Sequence, residues 1–122
     1  MNIRPSRLLL GAALAASVLV AHEEPKGKAI NITGQVIDTG CYIAHGGQGA
    51  DHAACATTCA KNGVPLAIVD SNGKIFMPVA VDHKNQNARL MPFIEKKVKV
   101  SGTLLEKGGV TGIAIKTIEA AD

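Results

Sequence analysis

Apolar and polar positions change rhythm along the chain. Ile32 to Asp38, Ile-Thr-Gly-Gln-Val-Ile-Asp, is rich in β-branched residues and runs into Thr39-Gly40, which predicts a strand followed by a turn. Cys41, Tyr42 and Ile43 read as a continuation of that strand past a bulge, and the glycines between His45 and Gly49 preclude regular structure there. Asp51 to Asn62 predicts a short helix, with Asp51 as N-cap and Gly63 as its stop. Pro65 to Val69 and Lys74 to Val81 are apolar runs on either side of Asp70-Ser71-Asn72-Gly73, the pattern of a hairpin. A polar stretch from Asp82 to Ala88 follows, and then a short helical segment, Ala88 to Glu95, limited by Pro92. Lys97 to Leu105 and Val110 to Ile118 alternate in the two-residue period of half-buried strands, with Gly108-Gly109 as the turn between them.

The predicted order is strand, helix, strand, strand, short helix, strand, strand, a mainly β chain. Five strands with a helical insert between the third and fourth resemble the small oligonucleotide/oligosaccharide-binding (OB) barrel, here with a Cys-bearing helix after the first strand. The segments Gly34-Gln-Val-Ile-Asp-Thr-Gly-Cys-Tyr, Gly46-Gly, His52-Ala-Ala-Cys-Ala-Thr-Thr-Cys and Gly63-Val-Pro-Leu also resemble those of a group of small exported bacterial proteins. That resemblance implies an OB-like barrel and an exported location, and it brings no activity with it.

Residues 1–21 have the order of a secretory signal peptide, with Arg4 and Arg7 ahead of a small and apolar run from Leu8 to Ala21. The run is shorter than the about 20 residues that a membrane span needs, and His22, Glu23 and Glu24 end it. The expectation is a cleaved signal without a lasting membrane anchor, a flexible lead-in over 22–29, and one OB-like domain over 30–122 in the periplasm or outside the cell. This changes the reading of charge. The chain carries 13 Lys and Arg against 10 Asp and Glu, and two of the basic residues lie in the signal, which leaves a nearly neutral domain. With that balance, no Trp, one Tyr and two Phe, neither the phosphate attraction nor the stacking platform of a nucleic-acid binder is expected.

Chemistry concentrates between residues 41 and 59, which hold Cys41, His45, His52, Cys55 and Cys59. On a helix, His52, Cys55 and Cys59 fall within about 60° of arc and share a face. Cys41 and His45 can fold back over that face from the preceding strand end and glycine loop. Thiolates with imidazole suit copper(I) or zinc, so a transition-metal site made from Cys41, His45, His52, Cys55 and Cys59 is one reading, and metal carriage or a periplasmic accessory role follows from it. A metal ion, and with it another periplasmic protein, would then be the partners. The rival reading is a disulfide among Cys41, Cys55 and Cys59 that staples an interaction module without metal. Thiol redox chemistry is a third. The odd cysteine count keeps all three open, since one thiol must stay free, bridge two chains or bind something. Met77 and Met91 read as core filler. No nucleophile, base and oxyanion set and no paired carboxylates stand out in the sequence, so an enzyme is not the expectation.

Overall fold

The computed structural model describes residues 23–122; the predicted signal peptide and its cleavage point lie outside them. Five strands close into a barrel in the order β1-β2-β3-β5-β4, formed by β1 (Lys28–Asp38), β2 (Leu66–Asp70), β3 (Ile75–Pro78), β4 (Lys97–Lys107) and β5 (Val110–Ala120). All pairings are antiparallel except β3 with β5, which runs parallel at Met77↔Gly112 and Pro78↔Ile113 and closes the wall. The OB-like, mainly β architecture read from the sequence is the one observed, with helices after β1 and between β3 and β4. Among the described residues no helix is long and apolar enough to cross a membrane.

The alternation expected of both long strands holds in the first half of β4 and fails in β5, where Gly112, Ile113, Ala114 and Ile115 are buried in succession because both faces of the strand are covered there. In β4, Val98 and Val100 are buried while Lys97 and Lys99 face water, as expected for a wall with one apolar face. The turn after β2 is held by Asp70, whose Oδ1 accepts from the amides of Asn72 at 2.8 Å and Lys74 at 2.9 Å. The largest differences from the expected strand bounds are in β1 and β3. β1 starts at Lys28, which pairs with Leu104, so ladder pairing with the long β4 recruits part of the polar lead-in. β3 ends at Pro78 well short of Val81, because proline has no N–H to extend a ladder.

Between β1 and β2 the chain leaves the barrel and returns to the same place. Asp38 pairs with Leu66, and Thr39 donates to the Pro65 carbonyl through both its N–H at 3.0 Å and its hydroxyl at 2.9 Å. The excursion carries α1 (Thr39–His45), a 3₁₀ turn (Ala50–His52) and α2 (Ala53–Lys61). The predicted strand continuation through Cys41, Tyr42 and Ile43 is therefore wrong. Asp38 accepts the Cys41 N–H at 2.9 Å as the N-cap of a helix, and Gly46, at φ +67, caps its other end in the left-handed conformation that glycine adopts without strain. Two good caps outweigh the β preference of Tyr42 and Ile43. Asp51 does not cap α2 as predicted. The 3₁₀ turn opens at Gly49, and His52, which precedes α2, already has helical backbone angles, so Asp51 is left exposed without a capping bond.

α2 seals one end of the barrel with alanines. Ala56 is fully buried and Ala60 nearly so, and with Ala53 they pack on Val36, Leu66, Ile68, Phe76, Val98 and Ile113. These small side chains let the helix backbone lie close to the barrel. α1 covers the outside of the same strands, where Tyr42 packs on a second cluster of Ile37, Ala67 and Val69. Between β3 and β4, α3 (Gln86–Leu90) and the 3₁₀ turn Met91–Phe93 add Leu90 and Ile94 to the main core. Met91 packs against the main core and Met77 against the smaller cluster, as their core-filler reading requires.

Asn87 ties α3 to both α2 and β2. Its Oδ1 accepts from the Leu66 amide at 2.8 Å, and its Nδ2 donates to the carbonyls of Val64 at 2.8 Å and Ala60 at 3.3 Å. Leu66 is fully buried. Asn87→Ala strands that amide away from water and should cost about 1–3 kcal/mol of unfolding free energy. Asn87→Asp keeps the acceptor but loses both donated bonds, and should be destabilised as well. Urea titrations of the three proteins check the order.

Candidate metal centre

The cysteines come together from two helices. Cys41 lies in the first turn of α1, three residues after its cap Asp38, and Cys55 and Cys59 lie one turn apart on α2. The alanine stripe turns one side of α2 into the barrel, which leaves the neighbouring side, with both cysteines, facing α1. Cys41 Sγ stands 4.0 Å from Cys55 Sγ, and the three sulfurs all lie within 4.8 Å of one another. All three are free thiols. Cys55 is exposed, while Cys41 and Cys59 are half-buried.

A second group shares Cys41. Potential ligand atoms of Asp38, Cys41 and His52 also fall within 4.8 Å of one another. Asp38 is fully buried at the end of β1; its Oδ1 caps α1 and its Oδ2 lies 2.8 Å from His52 Nε2. The carboxylate thereby fixes one end of α1 and the orientation of the imidazole. Gly47 completes the enclosure. A Cβ there would stand 3.1 Å from His52 Cε1 and 3.2 Å from Cys41 Cβ, so a side chain at this position would have to push these neighbours back by a few tenths of an ångström.

The geometry gathers four of the five residues singled out in the sequence: Cys41, Cys55 and Cys59 in one group and His52, with Cys41, in the other. His45 belongs to neither group. It ends α1 on an exposed face, because α1 is a helix here and Gly46 turns the chain immediately after it. Asp38 is the member of the site that the sequence does not single out. As the last residue of a strand it carries no chemical signature, and the available hint, an Asp three residues ahead of a cysteine at a strand end, has the spacing of a helix N-cap.

Charge states follow from these contacts. Burial alone would raise the Asp38 carboxyl, but the Cys41 amide and then His52 outweigh it and hold Asp38 below the ordinary carboxylate value. The Cys41 thiol is pushed up to about 12, first by desolvation, then by the neighbouring Cys55 thiol and the Asp38 charge. Desolvation also raises Cys59, against a partly compensating contact from Cys41. At neutral pH Cys41 therefore holds its proton, which does not favour nucleophilic thiol chemistry there. A bound cation would reverse the balance, since coordination deprotonates a thiol outright.

Comparisons of the chain with protein-family models, with curated proteins and with solved structures each gave no match. The functional reading consequently rests on the geometry of the site: a barrel that carries a cysteine cluster positioned to hold a metal ion.

The Asp38 cap should show in pH-dependent stability. A carboxyl whose folded value lies below its unfolded value of about 3.9 stabilises the fold above that pH, and the contribution is lost as pH falls through the folded value. Asp38→Ala should be about 1 kcal/mol less stable at neutral pH from loss of the cap, and the difference from wild type should shrink in acid. Asp38→Asn, which keeps an oxygen for the Cys41 amide, should retain part of the cap. Denaturant unfolding from pH 3 to pH 7 measures this.

Proposed function

We propose that this is an exported small protein that binds copper(I) or zinc through Cys41, Cys55 and Cys59, with His52 held by Asp38 beside them, and that it carries the metal or serves as an accessory to a periplasmic metal pathway. The observation that carries the reading is the spacing of the sulfurs. Two thiolates each about 2.3 Å from one ion stand about 3.8–4.0 Å apart, and Cys41 and Cys55 already stand at 4.0 Å. Three thiolates suffice for three-coordinate copper(I), and one nitrogen from His52 would complete a tetrahedral zinc site. Exposure of Cys55 suits exchange with a donor or acceptor protein. Export rests on residues 1–21, read as a signal peptide.

The disulfide reading is favoured by the same 4.0 Å approach of Cys41 to Cys55, since a modest movement would let them bond and tie α1 to α2. Metal and disulfide compete for the same sulfurs. Protein isolated from the exported compartment under gentle conditions separates them: stoichiometric copper or zinc with three reduced cysteines supports the metal reading, and an intact Cys41–Cys55 bridge without metal overturns it.

Removal of a single ligand should be decisive, because even outer-shell changes around metal sites cost about 10–100-fold in affinity. Cys41→Ser, Cys55→Ser and Cys59→Ser should each weaken binding by at least about 100-fold, and His45→Ala should leave it unchanged. Competition with a chromophoric chelator measures both. Metal entry must displace the protons of the raised Cys41 and Cys59 thiols. Apparent affinity should therefore rise with pH by about tenfold per unit for each proton displaced.

A further inference from the structure

Glu95 lies just ahead of β4, far from the cysteines in sequence, and keeps a set of unfavourable features. Its backbone is left-handed at φ +57, it is 9 % exposed, and among the described residues its Oε1 has no hydrogen-bond partner. Strain and buried charge of this kind persist where the surroundings require one conformation, and they collect at functional sites. What they secure here is contact between the barrel and the thiol-bearing excursion. Glu95 is rooted on β1, since its N–H donates to the Val36 carbonyl at 2.9 Å and its Oε2 accepts from Gln35 Nε2 at 2.7 Å. The same Oε2 accepts the Gly49 N–H at 2.7 Å.

Gly49 is where the cysteine helix begins. Its carbonyl accepts the His52 N–H at 2.9 Å and so starts the turn that leads into α2, while Gly47, two residues earlier, lies against His52 and Cys41. Two polar ties hold this start to the barrel, His52 to Asp38 and Gly49 to Glu95. A loop containing Gly46, Gly47 and Gly49 loses much conformational entropy on ordering, and the short bond from the Gly49 amide to a side-chain oxygen opposes that loss.

We propose that Glu95 is a positioning residue of the thiol site: by anchoring Gly49 it fixes where α2 begins and so keeps Cys55 and Cys59 opposite Cys41. Its purpose rests on the metal reading above, but the sulfur arrangement that it holds can be measured without any ion.

The test uses the full chain, reduced and metal-free, with dibromobimane as a cross-linker of adjacent thiols and peptide mapping to identify the Cys41–Cys55 product. Zinc and copper(I) affinities are measured in parallel. Glu95→Ala should slow that cross-link by at least about tenfold, as a displacement near 1 Å does for other proximity-dependent reactions, and should weaken metal binding about 10–100-fold. Glu95→Gln, which keeps an oxygen for the Gly49 amide, should restore most of both. Val100→Ala, a core change in β4, should lower the melting temperature while leaving cross-link and affinity intact. Should Glu95→Ala fail to fold, Glu95→Asp keeps the charge but shortens the reach, and the same loss is expected. Wild-type cross-linking in whichever of these two variants folds overturns the proposal, as does an equal loss in Val100→Ala. A wild-type protein that binds neither metal but shows the Glu95 dependence of the cross-link would sink the metal reading and leave the positioning role standing.

Discussion

A single buried carboxylate organises the junction between barrel and site. Asp38 ends β1, pairs with Leu66 at the start of β2, caps α1 through Cys41 and orients His52. A fully buried acid is tolerated only when its charge is well compensated, and here the compensation comes from the Cys41 amide and His52, both at the edge of the thiol cluster. The site cannot rearrange freely without exposing that charge to an apolar surrounding. Stability of the junction and shape of the site are thus the same problem.

The rest of the excursion follows from α2 serving two neighbours. One face, Ala53, Ala56 and Ala60, closes the barrel and needs small residues for close approach. The adjacent face carries Cys55 and Cys59 toward α1. Neither face is strongly apolar, so α2 is not held by hydrophobic area alone. It depends on ties at both ends: Glu95 and Asp38 at its start, Asn87 and the Thr39 bonds to Pro65 at its return. A site built this way can keep its thiols partly open to solvent while the backbone beneath them is anchored.

Legibility differed by the range of the physics involved. The alternation of Lys97, Val98, Lys99 and Val100, the Asp70–Gly73 turn and the Gly108-Gly109 turn are local patterns, and the barrel followed from their order. The helix Thr39–His45 is hidden in the sequence, because Cys41, Tyr42 and Ile43 favour a strand by composition, while the caps that make it a helix depend on how Asp38 and Gly46 are placed. Three cysteines and two histidines within a short segment mark a possible cluster. The exclusion of His45 is not legible there, because it requires knowing that α1 is a helix and which side of it faces α2.

By itself the sequence determined the succession of elements along the chain, the turns, the helix that bears Cys55 and Cys59, and the restriction of soft ligands to one segment, because each depends on neighbours a few residues apart. Only the tertiary structure decided that Cys41 lies on a helix, that its sulfur comes within 4.0 Å of Cys55, and that Asp38 and Glu95 hold the arrangement. Those outcomes depend on closing the barrel, which brings residues 38, 49 and 95 to one end of the molecule, and spacing along the chain does not encode that convergence.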